Sequence, residues 1–360
     1  MISSISLSNF RGVKIGKIDG LTDINVLIGA NGAGKSTLLE AIYLASAWVE
    51  SSDQIRNRTK FDVITYRRTQ RGDWNNLRNF LWYEMDTTKD IGISLSFRSG
   101  KAMEFKIPYK TYGSLPLASE KMIFLNVDGN YVNPDGNEIN EKNVVTRTIS
   151  TQGVYDKFNE EIRFLRETTL IDNMVYSNLD FIERNVWPKV YSKRLDKILI
   201  ELLKEGYEPD ADSLTYVPVA PGLYALMVGF SRTAARVDDL GDGARVSLVV
   251  ASILSTVNHS VALVEDPEVH QHPAGLEKLL NFILKTTKNN GIQLFVTTQS
   301  LDLLRVLLSI YPSNCKVFAL RRNQEGTLEY RQFTLDEVED LFESKVDIRK
   351  ITEELQLETR

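Results

Sequence analysis

The nine residues Gly29-Ala30-Asn31-Gly32-Ala33-Gly34-Lys35-Ser36-Thr37 constrain this chain more than any other stretch. They fit the pattern Gly, four residues, Gly-Lys-Ser, that of a phosphate-binding loop. Small residues let successive backbone N–H groups turn inward around phosphate oxygens, where bulkier side chains would stand in the way. A helix starting near Lys35 adds the positive end of its dipole. In that geometry Asn31, Gly32, Ala33, Gly34 and Thr37 surround the phosphate chain, Lys35 reaches the β- and γ-phosphates, and the Ser36 hydroxyl ligates Mg²⁺. The flanks agree. Ile24-Asn25-Val26-Leu27-Ile28 is β-rich and nearly all apolar, as a buried strand should be. From Ser36 to Glu50, Leu38, Leu39, Ala41, Ile42, Leu44, Ala45 and Trp48 give a helix one broad apolar face. Strand, loop and helix therefore follow in the order the motif requires, which a mere Gly-rich turn before a core helix does not explain. The expected ligand is a nucleotide.

A chain of 360 residues buries a full core and makes one large domain or two smaller ones. No apolar run is long enough to span a bilayer. Met1-Ile2-Ser3-Ser4-Ile5-Ser6-Leu7 reads as a strand, without the basic start and cleavage site of a signal peptide. Cys315 is the one cysteine, so no intrachain disulfide forms, which suits a reducing interior. The net charge of −5 argues against coating nucleic acid by bulk charge. A cytoplasmic protein with no membrane association is expected.

Along the chain, Ile5, Leu7 and Phe10 alternate with polar residues as in a half-buried strand, Asn9-Phe10-Arg11-Gly12 is a turn, and Ile15 to Ile18 a return strand. Arg56, Arg58, Lys60, Arg67, Arg68, Arg71 and Arg78 face only Asp62 and Asp73, with Phe61, Tyr66 and Trp74 interleaved. Such a mixture can hold a DNA or RNA backbone and stack on bases. The preferred reading is plainer: a solvated face with some arginines paired to distant acids. Gly92 to Ile107 alternates around Ser99-Gly100 as a hairpin, and Gly129 to Asn143 reads as a surface loop. Tyr155 to Glu205 reads as helical, broken near Trp187-Pro188. Thr215 to Val219 and Leu223 to Val228 are candidate short strands.

A second group of motifs follows. Leu240-Gly241-Asp242-Gly243-Ala244-Arg245 precedes an apolar helix, Val246 to Leu254. Val261-Ala262-Leu263-Val264 is a buried parallel-type strand that runs into Glu265-Asp266-Pro267-Glu268. Carboxylates at the C-terminal end of such a strand stand beside the phosphate loop in open α/β sheets. One can hold Mg²⁺ and the next can orient the attacking water. Gln293-Leu294-Phe295-Val296 is a third strand, ending in Thr297-Thr298-Gln299-Ser300. His270 and His272 lie one residue apart, but with one cysteine and only His259 besides, a zinc site is not expected. Cys315 has no activating base nearby and reads as a packing residue. The tail from Leu335 to Leu357 reads as an amphipathic helix docked on the core.

On Asn9-Phe10-Arg11-Gly12, the loop Gly29 to Thr37, Leu240 to Arg245, Glu265-Asp266-Pro267-Glu268 through His272-Pro273, and Thr297-Thr298-Gln299-Ser300, the chain resembles the ABC-type ATPases of the SMC/RecF group. It most resembles the compact AAA-family ATP-binding proteins related to the overcoming-lysogenisation-defect ATPases. Asp347-Ile348-Arg349 also resembles an ending seen there. The likeness implies an α/β P-loop NTPase fold of ABC-ATPase type: a mainly parallel core sheet flanked by helices, an N-terminal antiparallel β region and an inserted helical lobe. The expected division is residues 1–152 for a lobe with the phosphate loop, 153–236 for a mostly helical insertion, 237–330 for a lobe with signature, acidic strand and switch motif, and 331–360 for a helical tail.

The resemblance also implies cofactors, partners and roles. ATP and Mg²⁺ are the expected cofactors, with Ser36 and Glu265 on the metal, Asp266 as base, Glu268 as its reserve, and Lys35 and Gln299 at the γ-phosphate. Arg11 joins the nucleotide contacts. A homodimer forms in the ATP state, Gly241, Asp242 and Gly243 of one copy capping the ATP of the other, so that ATP switches contact with nucleic acid or a protein effector. The chain departs from the family pattern at three points. The usual Asp-Glu pair is Glu265-Asp266, the switch histidine is Gln299, which cannot become a cation, and the signature serine is Gly241. Slow hydrolysis is therefore expected. The alternative is an ATP-sensing binding module that does not hydrolyse and whose effector is on another chain. A small-molecule kinase does not explain Leu240 to Arg245.

Overall fold

The computed structural model describes residues 1–68, 70–112 and 122–351. The chain forms two compact units, each assembled from distant pieces. The first combines residues 1–53, 58–169 and 314–360, the second residues 54–57 and 170–313.

In the first unit, Ile2–Phe10 pairs antiparallel with Val13–Asp19 on one side and Ile91–Phe97 on the other. The two-residue turn between the first pair holds Arg11 at φ 55°, a left-handed conformation that follows another at Asn9, φ 54°. Ile91–Phe97 and Ala102–Ile107 form the hairpin read from the alternation, with Ile93 opposite Phe105 and Leu95 opposite Met103, all buried. Gly100 turns it at φ 84°, a conformation glycine adopts without strain. The stretch read as a loop from Gly129 to Asn143 is more ordered than its composition suggests. Asn130–Val132 and Asn137–Ile139 are short paired strands, with Gly129 and Gly136 at φ 91° and 83° making the reversals. Turn residues here connect strands rather than replace them.

The phosphate-loop strand, Ile24–Ile28, is buried along its length and pairs parallel with Cys315–Arg322, almost three hundred residues later. Cys315–Arg322 pairs antiparallel with Thr327–Phe333, which returns parallel to Val13–Asp19. The helix after the loop, Lys35–Ser46, buries Leu38, Leu39, Ala41, Ile42, Tyr43 and Leu44 at 1% exposure or less. Each large apolar side chain so buried contributes roughly 1.5–3 kcal/mol. The helix Leu335–Glu343 opens with a capping box of Thr334 and Glu337. The rest of the expected tail past Ile351 lies outside the described residues.

In the second unit, Val261–Glu265 and Gln293–Thr298 run parallel with Glu265 opposite Thr297. The helices Asp242–Thr256 and Pro273–Asn289 belong to the same unit. The stretch read as helical from Tyr155 to Glu205 is a series of short helices ending in Asp196–Gly206, interrupted by the strand Thr169–Ile171. Residues 211–236 are a three-stranded antiparallel sheet, Ala211–Ala220, Leu223–Phe230 and Ala234–Arg236. Pro221-Gly222 closes its first hairpin with Gly222 at φ 74°, since proline presets the first turn residue and glycine accepts the positive φ of the second. Strand therefore fills the last third of the segment expected to be mostly helical.

Candidate functional site

In the first unit the phosphate loop is built as its sequence requires. Gly29, Gly32 and Gly34 have φ of 156°, 78° and 102°, the last two being left-handed and closed to most other residues. A Cβ at Gly34 would also lie 2.8 Å from Leu328 Cδ1. Asn31 and Gly32 are exposed at the loop's crest, while Ala33, Gly34, Lys35 and Thr37 are buried and Ser36 is half-buried. Lys35 Nζ turns back over the loop, donating to Gly29 O at 2.7 Å and Ala30 O at 3.1 Å. Its ammonium is held inside the curve of backbone that the motif shapes for phosphate oxygens. Glycine cradle, buried lysine and adjacent hydroxyl fit a nucleotide's phosphate chain.

Arg11 is engaged elsewhere in this unit. Its Nε donates to Glu40 Oε2 at 2.8 Å and its Nη2 to Ile64 O at 2.8 Å. Glu40, in the helix that follows the loop, is fully buried and also takes Arg67 at 2.5 Å and Arg68 at 3.1 Å. Burial alone would raise the Glu40 carboxyl, but the three guanidiniums hold it down at about 2. Thus Arg11 fastens the turn Asn9–Gly12 to the phosphate-loop helix.

The basic stretch from Arg56 to Arg78 is largely consumed in the same way. Lys60 Nζ is buried and donates to Ser46 Oγ at 2.7 Å, and burial lowers its pKa to about 8. Arg67 is on Glu40, and Arg78 stacks 4.8 Å over the Tyr109 ring. Arg56, which joins the second unit, makes a buried 2.6 Å pair with Asp172. A cation inside a protein must be paired or hydrogen-bonded, and these partners take Arg56, Lys60 and Arg67 away from any nucleic-acid backbone.

In the second unit the acidic motif and the switch motif meet. Asp266 sits at φ 46°, its N–H donating to Thr297 O at 3.1 Å while Thr297 Oγ1 donates to its Oδ1 at 2.9 Å. Thr298 donates its hydroxyl to Glu268 Oε1, and the Gln299 N–H lies 3.4 Å from the same oxygen. Glu268 Oε2 is buried with no hydrogen-bond partner among the described residues. Burial outweighs the Thr298 hydroxyl and raises the Glu268 carboxyl above its ordinary range. The Glu265 backbone O accepts the Tyr176 hydroxyl at 2.8 Å. The strand register explains this meeting, because Glu265 opposite Thr297 sends both chains out at one level.

The signature residues begin the helix Asp242–Thr256, capped by Gly241. Gly241 and Asp242 are exposed, and the Asp242 carboxylate meets Arg245 at 2.7 Å and His270 Nδ1 at 3.8 Å. Behind them is a hub that sequence reading missed. Tyr207 OH bonds Ser247 Oγ, Gln271 Oε1 at 2.7 Å and Gly275 O at 2.9 Å, and Gln271 Nε2 donates to Gly243 O at 3.0 Å. Signature helix, post-acidic loop and following helix are tied through one hydroxyl. Nothing in the local pattern around Tyr207, at a helix end, signals that role. His272 caps the helix Pro273–Asn289. Among the described residues, no three His, Cys, Asp or Glu side chains form a metal-holding cluster.

Comparison with known proteins places the chain. A family model described as an AAA ATPase domain matches residues 1–209, well over half of it, and the chain belongs to that family. A second model, described as an AAA domain and associated in that description with an AbiEii toxin and a Type IV TA system, matches residues 149–305. The chain is 20% identical to an ATP/GTP phosphatase of Helicobacter pylori, over 97% of this chain and all of that one. It is 29% identical over 121 residues to the uncharacterized protein MJECL11 of Methanocaldococcus jannaschii, covering 34% of this chain and 99% of that one. Among solved structures, an SMC head bound to the C-winged helix domain of ScpA matches with a TM-score of 0.52 at 11% identity, covering 94% of this chain and 99% of that one. The fold is that of an SMC head, and the protein is an ATP-binding ATPase of SMC/RecF-like, ABC-type architecture. Among the described residues, no helix is long and apolar enough to cross a membrane.

Proposed function

We propose that this protein is a Mg-dependent ATP hydrolase of low turnover, acting as an ATP-gated homodimer that switches contact with a nucleic acid or a protein partner. The observation that carries the reading is the cluster at the end of Val261–Glu265, where the Thr297 and Thr298 hydroxyls orient Asp266 and Glu268. Gly29 to Thr37 hold the phosphates, Lys35 neutralises their charge, and Ser36 with Glu265 would hold Mg²⁺. The metal when bound offsets charge developing between the β- and γ-phosphates.

Two carboxylates compete for the proton of the attacking water. Asp266 has committed Oδ1 to Thr297, whereas Glu268 keeps a buried oxygen without a partner among the described residues and a raised pKa. A base works best when its pKa approaches the operating pH, which favours Glu268, with Asp266 polarising the same site. Gln299 orients by hydrogen bonding and supplies no charge, so turnover is slow. Gly241, Asp242 and Gly243 at a helix N-terminus cap the nucleotide of a second copy. The stretch 153–236 and the tail 331–360 are then the parts offered to a partner, and the two lobes 1–152 and 237–330 the machinery. That an SMC head is known bound to a domain of another protein supports a protein partner here. For a nucleic acid, this stretch offers the exposed Arg58, stacked 4.4 Å over the Tyr66 ring.

A second reading, ATP sensing without hydrolysis, is favoured by Gln299 and by the threonine-engaged carboxylates. Steady-state ATPase assays with and without DNA, together with light scattering in ATP, separate the two. Turnover lost in both Lys35→Ala and Glu268→Gln, and a dimer seen only with ATP, support the first. Tight ATP binding without turnover establishes the second, and a monomer at saturating Mg-ATP refutes the capped dimer.

A further inference from the structure

Arg322 ends the strand Cys315–Arg322, which pairs parallel with the phosphate-loop strand, Ala319 standing opposite Ile28. Arg322 lies three residues beyond that pair, on the side where the phosphate loop leaves its strand. Ligands of open α/β sheets bind outside the carboxyl ends of parallel strands, and Arg322 stands at such an end. Its Nη1 donates to Gly12 O at 3.0 Å. A Cβ on Gly12 would lie 1.7 Å from that Nη1, so the guanidinium crosses a space that only glycine leaves open. Gly12 has no positive φ to account for it; its missing side chain serves the arginine. On the other side, Nη2 lies 4.0 Å from where a Cβ of Gly32 would be.

Arg322 is also exposed. Among the described residues it has no carboxylate within ion-pair distance, whereas Arg11 and Arg67 are spent on Glu40. An exposed guanidinium with planar donors beside a phosphate cradle suits a phosphate group better than a lysine would.

We propose that Arg322 is a nucleotide-contacting residue, donating to the phosphate chain held by Gly29 to Thr37 of its own chain. The proposal rests on the reading of that loop as the ATP site. Because the contact is made before any bond changes, it lowers the free energy of bound ATP and ADP alike and leaves the chemical step untouched.

Calorimetric titration of ATP and ADP into the parent, Arg322→Gln, Arg322→Lys, Gly12→Ala and Lys35→Ala proteins tests it. Arg322→Gln is expected to weaken ATP and ADP by about tenfold each, the scale of one charge-assisted hydrogen bond. KM should rise accordingly with kcat at saturating ATP unchanged. Arg322→Lys should fall between, and Gly12→Ala, which keeps the charge but displaces the guanidinium, should weaken both nucleotides as well. Affinities of folded Arg322→Gln within about twofold of the parent, with Lys35→Ala losing binding, would overturn the proposal alone. A fall in kcat with unchanged affinities would overturn it too. Parent and Lys35→Ala binding alike would overturn the loop reading itself, and the arginine's role with it.

Discussion

Glu40 offers the sharpest test of how the phosphate loop is held. It is fully buried, five residues after Lys35, and accepts from Arg11, Arg67 and Arg68. Its carboxyl falls from an ordinary 4.5 to about 2 on folding. At about 1.4 kcal/mol per pKa step, the ionised form contributes about 3 kcal/mol to stability at neutral pH. The sign follows from the depressed folded value: the contribution is complete above the unfolded pKa of 4.5 and is lost as pH falls towards 2. Glu40→Gln keeps the shape and removes the charge, leaving three guanidiniums facing a neutral amide. Breaking a buried pair by removing one partner costs about 3–5 kcal/mol, and Arg68, whose side chain is 49% exposed, moderates that by turning to water. A loss of about 3 kcal/mol is expected in urea unfolding at pH 7. The difference between parent and variant should shrink as pH drops from 4.5. Because Arg11 anchors the turn to this helix, ATP affinity should fall as well. A variant as stable as the parent at pH 7, or a difference indifferent to pH, would refute the reasoning.

Other outcomes follow from the same contacts. Glu268→Gln should lower ATP turnover yet raise the melting temperature, since a buried carboxylate with a raised pKa opposes folding above that pKa; calorimetric scanning and phosphate release read the two effects. In the parent, turnover should climb with pH as Glu268 ionises, its acid limb lying above the ordinary glutamate range, and Glu268→Gln should lack that limb. Tyr207→Phe deletes a hydroxyl bonded to Ser247, Gln271 and Gly275 and should cost about 1–2 kcal/mol in denaturant unfolding. Gly34→Ala should abolish ATP binding in titration, being strained at φ 102° and crowded by Leu328.

Much of the site was legible because its parts are local. The loop, its strand and helix, the acidic strand end and the hairpin around Gly100 are written in spacing and periodicity over ten to twenty residues. What escaped was non-local. Glu40 sits amid the apolar face of its helix, and nothing beside it announces three arginines from elsewhere in the chain. The basic stretch looked like a surface because charges seldom go inside unpaired, yet its partners Glu40, Ser46 and Asp172 are remote in sequence. Tyr207 ends a helix and earns its contacts only after Gln271 and Ser247 are folded against it. The strands expected at Thr215 to Val219 and Leu223 to Val228 are there, longer than expected as Ala211–Ala220 and Leu223–Phe230, because cross-strand pairing extends beyond the β-branched residues that signal them.

The strand that flanks the phosphate loop comes almost last. Ile24–Ile28 pairs parallel with Cys315–Arg322, and the next strand, Thr327–Phe333, returns to Val13–Asp19. A ribosome making this chain from its start therefore holds the finished loop sequence long before the sheet beside it exists. Pairings so distant close slowly, and the emerging Ile24–Ile28 remains an unpaired, largely apolar strand through most of synthesis. Nucleotide capture is thus a late event in the life of the nascent chain. A stop at residue 313, although it leaves every nucleotide motif in place, should yield a protein that aggregates rather than binds ATP.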